Sequence, residues 1–198
     1  MGTRHLIAVH SDGKYPIAQY GQWDGYPNGQ GKTVLAFLRD EESVKRLRAR
    51  LPEISEPTDQ EWEDGWRSVG VVEEGWVNQE QSQAFGKLFP FCHRDHGAKI
   101  LAMVADSIGP AKLQNSLDFA GDSLFCKWAY VVDFDKGAFE VYRGFNKKPV
   151  PSGERFADFK GGDGPYAREY FPVRLAKSYR LEELPTEAQF LADFEDDE

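Results

Sequence analysis

The 198-residue chain carries 24 Lys+Arg against 33 Asp+Glu, a formal net charge of −9, and its length suits one domain able to bury a sizeable core. Aromatic residues make up 14% of the chain, a loading that excludes disorder over most of its length. Residues 181–198 hold eight acids and no base, which leaves a nearly neutral body without the basic patch that binding to nucleic-acid phosphates requires.

No run reaches the roughly 20 apolar residues of a membrane helix. The opening Met1-Gly2-Thr3-Arg4-His5 lacks the apolar stretch of a signal peptide. Leu6 stands where an N-myristoyl signal wants Ser or Thr. Cys92 and Cys126 are too few for a disulfide framework and read as free thiols of a reducing compartment. The expectation is a cytoplasmic protein with neither a membrane nor a nucleic-acid partner.

The first predicted element is a hairpin. Arg4–His10 and Tyr15–Tyr20 are strand-like runs joined through Ser11-Asp12-Gly13-Lys14, and Asp-Gly favours a type I′ turn. With Asp12-Gly13 as a two-residue loop, His10 opposes Tyr15 and Ala8 opposes Ile17. One face then holds Leu6, Ala8, Ile17 and Gln19; the other holds Ile7, Val9, Ala18 and Tyr20. Both faces are mostly apolar, which predicts a strand pair covered on both sides. A glycine-rich loop, Gly21–Gly31, leads into a helix with Val34, Leu35, Phe37 and Leu38 on its apolar face. Glu41–Leu51 patterns as a second, heavily charged helix.

Residues 52–82, acidic and bearing Trp62, Trp66 and Trp76, read as a short helix with irregular cover, a lid or an insertion. Helices around Gln79–Phe89 and Gly97–Ser107 follow. A second hairpin pairs Phe125–Asp133 with Ala138–Gly144 around Asp135-Lys136-Gly137. Residues 146–170 read as loop, Val173–Tyr179 as one more strand, and a last helix begins near Pro185-Thr186. The pattern predicts an α+β fold with antiparallel sheets and covering helices. One globular domain covers 1–194, and an acidic, disordered tail covers 195–198.

The loop Gly21–Gly31 holds the densest chemistry. Its glycines permit close backbone approach, Trp23 and Tyr26 offer flat surfaces, and Gln22, Asp24, Asn28 and Gln30 add donors and acceptors. That mixture fits a small-molecule pocket, with an Ω-loop closing one end of the fold as the rival reading. Gly31-Lys32-Thr33 resembles the end of a phosphate loop, but the motif's first glycine falls at position 26, where Tyr26 stands. Cys92-His93-Arg94-Asp95-His96 gathers metal-ligating residue types without a second cluster at ligand spacing. It reads instead as a helix start with Asp95 near the N-cap. No metal and no cofactor is expected. Arg4 and Arg94 are candidate partners for an anion, and Cys126 reads as inert packing.

Gly2-Thr3-Arg4 and the run Ala18-Gln19-Tyr20-Gly21-Gln22-Trp23-Asp24-Gly25-Tyr26-Pro27-Asn28-Gly29-Gln30-Gly31 resemble a family of small proteins of phages, bacteria and fungi with the opening GTR…AQYGQWDGYPxGQG. Arg94–Leu101 and Trp128–Asp133 fit it too. That resemblance implies no activity. Thr3-Arg4, the Asp12-Gly13 turn and Gln22-Trp23-Asp24 are also similar in layout to the N-terminal-nucleophile (Ntn) hydrolases of the bile-salt and penicillin-V acylase branch. This second resemblance implies a four-layer α-β-β-α sandwich and amide-bond hydrolysis or acyl transfer. Such enzymes use the first mature residue as nucleophile and its amine as base. Gly2 has no side chain, so the chemistry requires removal of Met1 and Gly2 to expose Thr3. Gln19 and Tyr20 stand near the place of the family's second-strand arginine.

The expected site therefore joins Thr3, Arg4 and Asp24 as catalytic candidates. Gln19, Tyr20, Gln22, Trp23, Tyr26, Gln30 and Arg94 are the ligand-binding candidates, and the partner is a small polar or amide-bearing molecule. The rival expectation is a non-catalytic binding or interaction protein on a degenerate Ntn-like fold. Homo-oligomerisation is left open.

Overall fold

The computed structural model describes residues 2–71, 76–161 and 169–195. Parts of the expected lid (72–75), the loop (162–168) and the acidic tail (196–198) lie outside the described residues. Five strands, β1 (His5–Ser11), β2 (Lys14–Gly21), β3 (Trp128–Asp133), β4 (Ala138–Arg143) and β5 (Arg174–Arg180), form one sheet in the order β2-β1-β3-β4-β5. All neighbours are antiparallel except β1 and β3, which run parallel at its centre. The fold is α+β.

Of the helices α1 (Lys32–Leu38), α2 (Glu41–Arg50), α3 (Asp59–Ser68), α4 (Gln79–Leu88), α5 (Lys99–Ala105) and α6 (Glu187–Ala192), all but α1 and α5 start at a side-chain cap. Asp40 caps α2 through the Ser43 N–H, while Thr58, Asn78 and Thr186 form capping boxes with Glu61, Gln81 and Gln189. Asp95 does not cap α5. Its N-cap is Ala98, whose N–H donates to Gln30 Oε1 at 2.7 Å.

One sheet face carries Ile7, Val9, Ile17, Tyr130 and Phe139 against Leu35, Leu47, Leu101 and Phe190 of α1, α2, α5 and α6. The other carries Leu6, Ala8, Ala18, Val131 and Tyr142 beneath Ala120, Phe156 and Val173, which lie in turns and loops. The described residues contain a single sheet with helices on one face and loops on the other, not the paired sheets of an α-β-β-α sandwich.

The first hairpin departs from the regular register. Val9 faces Ile17 and Ser11 faces Lys14, so Tyr15 and Pro16 together oppose His10. Pro16 has no N–H to pair, and the bulge takes up the extra residue. A shift of one residue exchanges the faces of β2. Ile17 therefore joins Ile7 and Val9, and Ala18 joins Leu6 and Ala8. The turn itself is as expected, with Asp12 and Gly13 at φ 53° and 69°.

Candidate functional site

The Gly21–Gly31 loop crosses the start of β1 and is pinned to it. Gly25 N–H donates to the Thr3 carbonyl at 2.9 Å, and the buried Tyr130 phenol donates to the Gly25 carbonyl at 2.8 Å. Gln30 fastens the far end, its Nε2 donating to the Trp23 carbonyl at 3.4 Å and its Oε1 accepting from Ala98. The glycines serve this packing. A Cβ on Gly21 would stand 2.1 Å from the His5 ring, and one on Gly29 would stand 2.5 Å from the Asp24 carboxylate.

Opposite the loop, parallel pairing sets His5 beside Trp128. The Lys127 N–H donates to the Arg4 carbonyl at 3.0 Å, and Gly144 N–H donates to the Lys127 carbonyl at 2.8 Å. Four chain segments thus line a cleft of about 830 Å³. Trp23, Tyr26, Phe125 and Phe145 line it and are 53%, 39%, 45% and 55% exposed. They are four of the nine exposed large apolar side chains among the described residues, and such clustering marks a binding surface rather than a packing remainder.

Arg4, Lys127 and Arg143 line the same cleft, together with Thr3 and Gln22, and among the described residues the lining holds no carboxylate. The Arg4 guanidinium lies 4.9 Å from the Phe125 ring centre and Lys127 Nζ 2.8 Å from that of Phe145. Burial, reinforced by the charge of Arg4, lowers the pKa of Lys127 against the opposing pull of Asp122. Phe145 has φ 52°, a left-handed conformation that is uncommon for a bulky side chain. Its N–H is held by the Ser123 carbonyl at 2.7 Å. Strain of this kind gathers at functional sites.

The structure divides the expected site residues. Thr3, Arg4, Gln22, Trp23 and Tyr26 meet in this cleft. Asp24, at φ 59°, turns its carboxylate over Gly29 rather than into the cleft lining. Gln19 is buried, with Nε2 donating to the Tyr20 and His93 carbonyls at 3.2 Å. Gln30 is a structural tie. Tyr20 and Arg94 line a second cleft of about 860 Å³, walled by Trp62 and Trp66 of α3, Phe85 of α4 and Phe89 at the end of α4. The Tyr20 hydroxyl donates to Gln22 Oε1 at 2.5 Å, so Gln22 stands between the two clefts.

Sequence reasoning missed the wall made by Phe125, Lys127, Arg143 and Phe145. Residues 125–127 read as strand, whereas β3 begins at Trp128. The parallel contact that brings them to Arg4 has no local signal.

A polar cluster at the turn end of the sheet was also missed. His10 Nδ1 lies 3.3 Å from both Asp133 and Asp135, close enough for the three to ligate a metal. Their oxygens are already engaged, however. Asp133 accepts from Lys136 N–H and Arg155, and Asp135 accepts from the Asp12 and Gly13 N–H groups. The cluster is a clip between two turns.

Cys126 is fully buried and its pKa is raised by burial, which makes it a poor nucleophile. No helix among the described residues is long and apolar enough to cross a membrane. Comparison of the chain with protein-family models, curated proteins and solved structures gives no match, so its chemistry rests on the geometry of the cleft.

Proposed function

We propose that the chain is a small-molecule-binding protein whose ligand combines an anionic group with a flat apolar body. The observation that carries this reading is the convergence of four exposed aromatic rings with the cations Arg4 and Lys127 in one cleft, whose described lining holds no carboxylate. Trp23 and Phe145 supply stacking surfaces, the cations neutralise the anion, and Gln22 and Thr3 orient polar substituents. A small polar molecule, as expected from the loop, enters the same cleft only with charge to match these cations. Calorimetric titration with a planar carboxylate such as 4-methylbenzoate tests the reading. Arg4→Gln and Trp23→Ala are each expected to weaken binding by about tenfold, with little change in melting temperature. Equal affinity for all three proteins overturns it.

Amide-bond hydrolysis or acyl transfer is the second reading, favoured by Thr3 lining the cleft beside Arg4. It requires a mature chain beginning at Thr3, which intact-mass measurement detects. A chain that retains Gly2 removes the N-terminal-nucleophile mechanism and leaves the binding proposal intact.

A further inference from the structure

We propose that Lys127 is a reactive amine that forms an imine with small aldehydes or keto compounds carrying an anionic group. The inference rests on the reading of the cleft as an anion site and extends it to covalent chemistry.

Lys127 reaches the cleft from the turn before β3, with its backbone bonded on one side to Arg4 and on the other to Gly144. Its Nζ lies over the Phe145 ring and 2.8 Å from the Leu124 carbonyl oxygen. Among the described residues it makes no salt bridge, whereas Lys112, Lys136, Lys147 and Lys177 each lie within ion-pair distance of a carboxylate. A half-buried ammonium beside a second cation, with the pull of Asp122 offsetting only part of this, releases its proton more readily than a surface lysine. The same two features, apolar walls and a neighbouring guanidinium, describe the ligand. The anion sits against Arg4 and the flat body against Trp23, in the same lining as Lys127, so that the carbonyl carbon is presented to Nζ.

The step balances without a redox partner. The amine lone pair adds to the carbonyl carbon, forming the C–N bond. The carbonyl oxygen then departs as one water with both amine hydrogens, leaving a C=N bond to Lys127. Addition of water reverses the step.

The test uses 4-carboxybenzaldehyde with cyanoborohydride near neutral pH, and 4-methylbenzoate as the analogue without a carbonyl. The expected result is one adduct per chain, mapped to Lys127 in the wild-type protein and forming about tenfold faster than at any other lysine. 4-Methylbenzoate blocks it, and Lys127→Arg, which keeps the charge, abolishes it. Adducts spread evenly over the lysines while 4-methylbenzoate still binds overturn the imine and leave the binding site standing. Failure of 4-methylbenzoate to bind overturns both. Mapping on the wild-type chain decides the matter even where the Arg variant folds poorly.

Discussion

His5 begins β1 with its ring fully buried against Gly21, and neither imidazole nitrogen has a hydrogen-bond partner among the described residues. Burial lowers its pKa from 6.5 to about 4, and the adjacent Thr3 backbone offsets only part of that. The imidazole is therefore neutral in the folded protein, while the unfolded chain takes up a proton near pH 6.5. A group depressed in this way contributes its full stability above pH 6.5 and loses it as the pH falls towards 4. The loss amounts to about 3 kcal/mol. Urea unfolding at a series of pH values should show this slope, and His5→Phe should flatten it. An unchanged slope in that variant would place the titration elsewhere.

At the scale of elements, the segment around Arg155 is fixed to the sheet by charge. Its guanidinium bonds Asp133, donates to Glu140 at 2.7 Å and to the Tyr15 hydroxyl at 2.7 Å, and is almost fully buried. Burial alone would raise the pKa of Asp133, but the Lys136 N–H, Arg155 and His10 outweigh it and hold the carboxyl below its usual range. This contribution is present above about pH 4 and is lost as the pH falls through the depressed value. Arg155→Ala takes the buried counter-charge from Asp133 and Glu140 and should cost about 3–5 kcal/mol, read as a drop in the urea midpoint. A shift below about 1 kcal/mol would mean that the charges rehydrate.

Both hairpins and most of the helices were legible in the sequence because turn residues and apolar periodicity act within a few positions of themselves, whereas the one cap read from it, Asp95, does not cap α5. The bulge at Tyr15–Pro16, the Arg155 network and the Lys127 wall were not. Each depends on partners that meet only after the chain has closed. The expected site was half legible for the same reason: Trp23 and Tyr26 announce a surface, but not what faces it.

Considered whole, the sheet has two differently treated edges. Along β2, Ser116 N–H donates to the Ala18 carbonyl and Asn115 Nδ2 to that of Tyr15, so a loop covers the edge. β5 is exposed and carries Arg174, Lys177 and Arg180. Antiparallel pairing with a second copy centred on Lys177 would set Arg174 against Arg180, an arrangement that like charges oppose.

The parallel contact between β1 and β3 has one more consequence. Among the described residues it is the sole strand pairing between an N-terminal hairpin and a C-terminal three-stranded meander. Each part has its own short-range turns, so each can organise before the other is available. The covalent link between them passes through fully exposed Ile108, where a break in the backbone removes no sheet hydrogen bond. Fragments 1–108 and 109–198, expressed together, should therefore complement one another and elute as a one-to-one complex with the intact chain's circular dichroism. Fragments that purify apart would show that continuity of the backbone, rather than the central seam, holds the halves together.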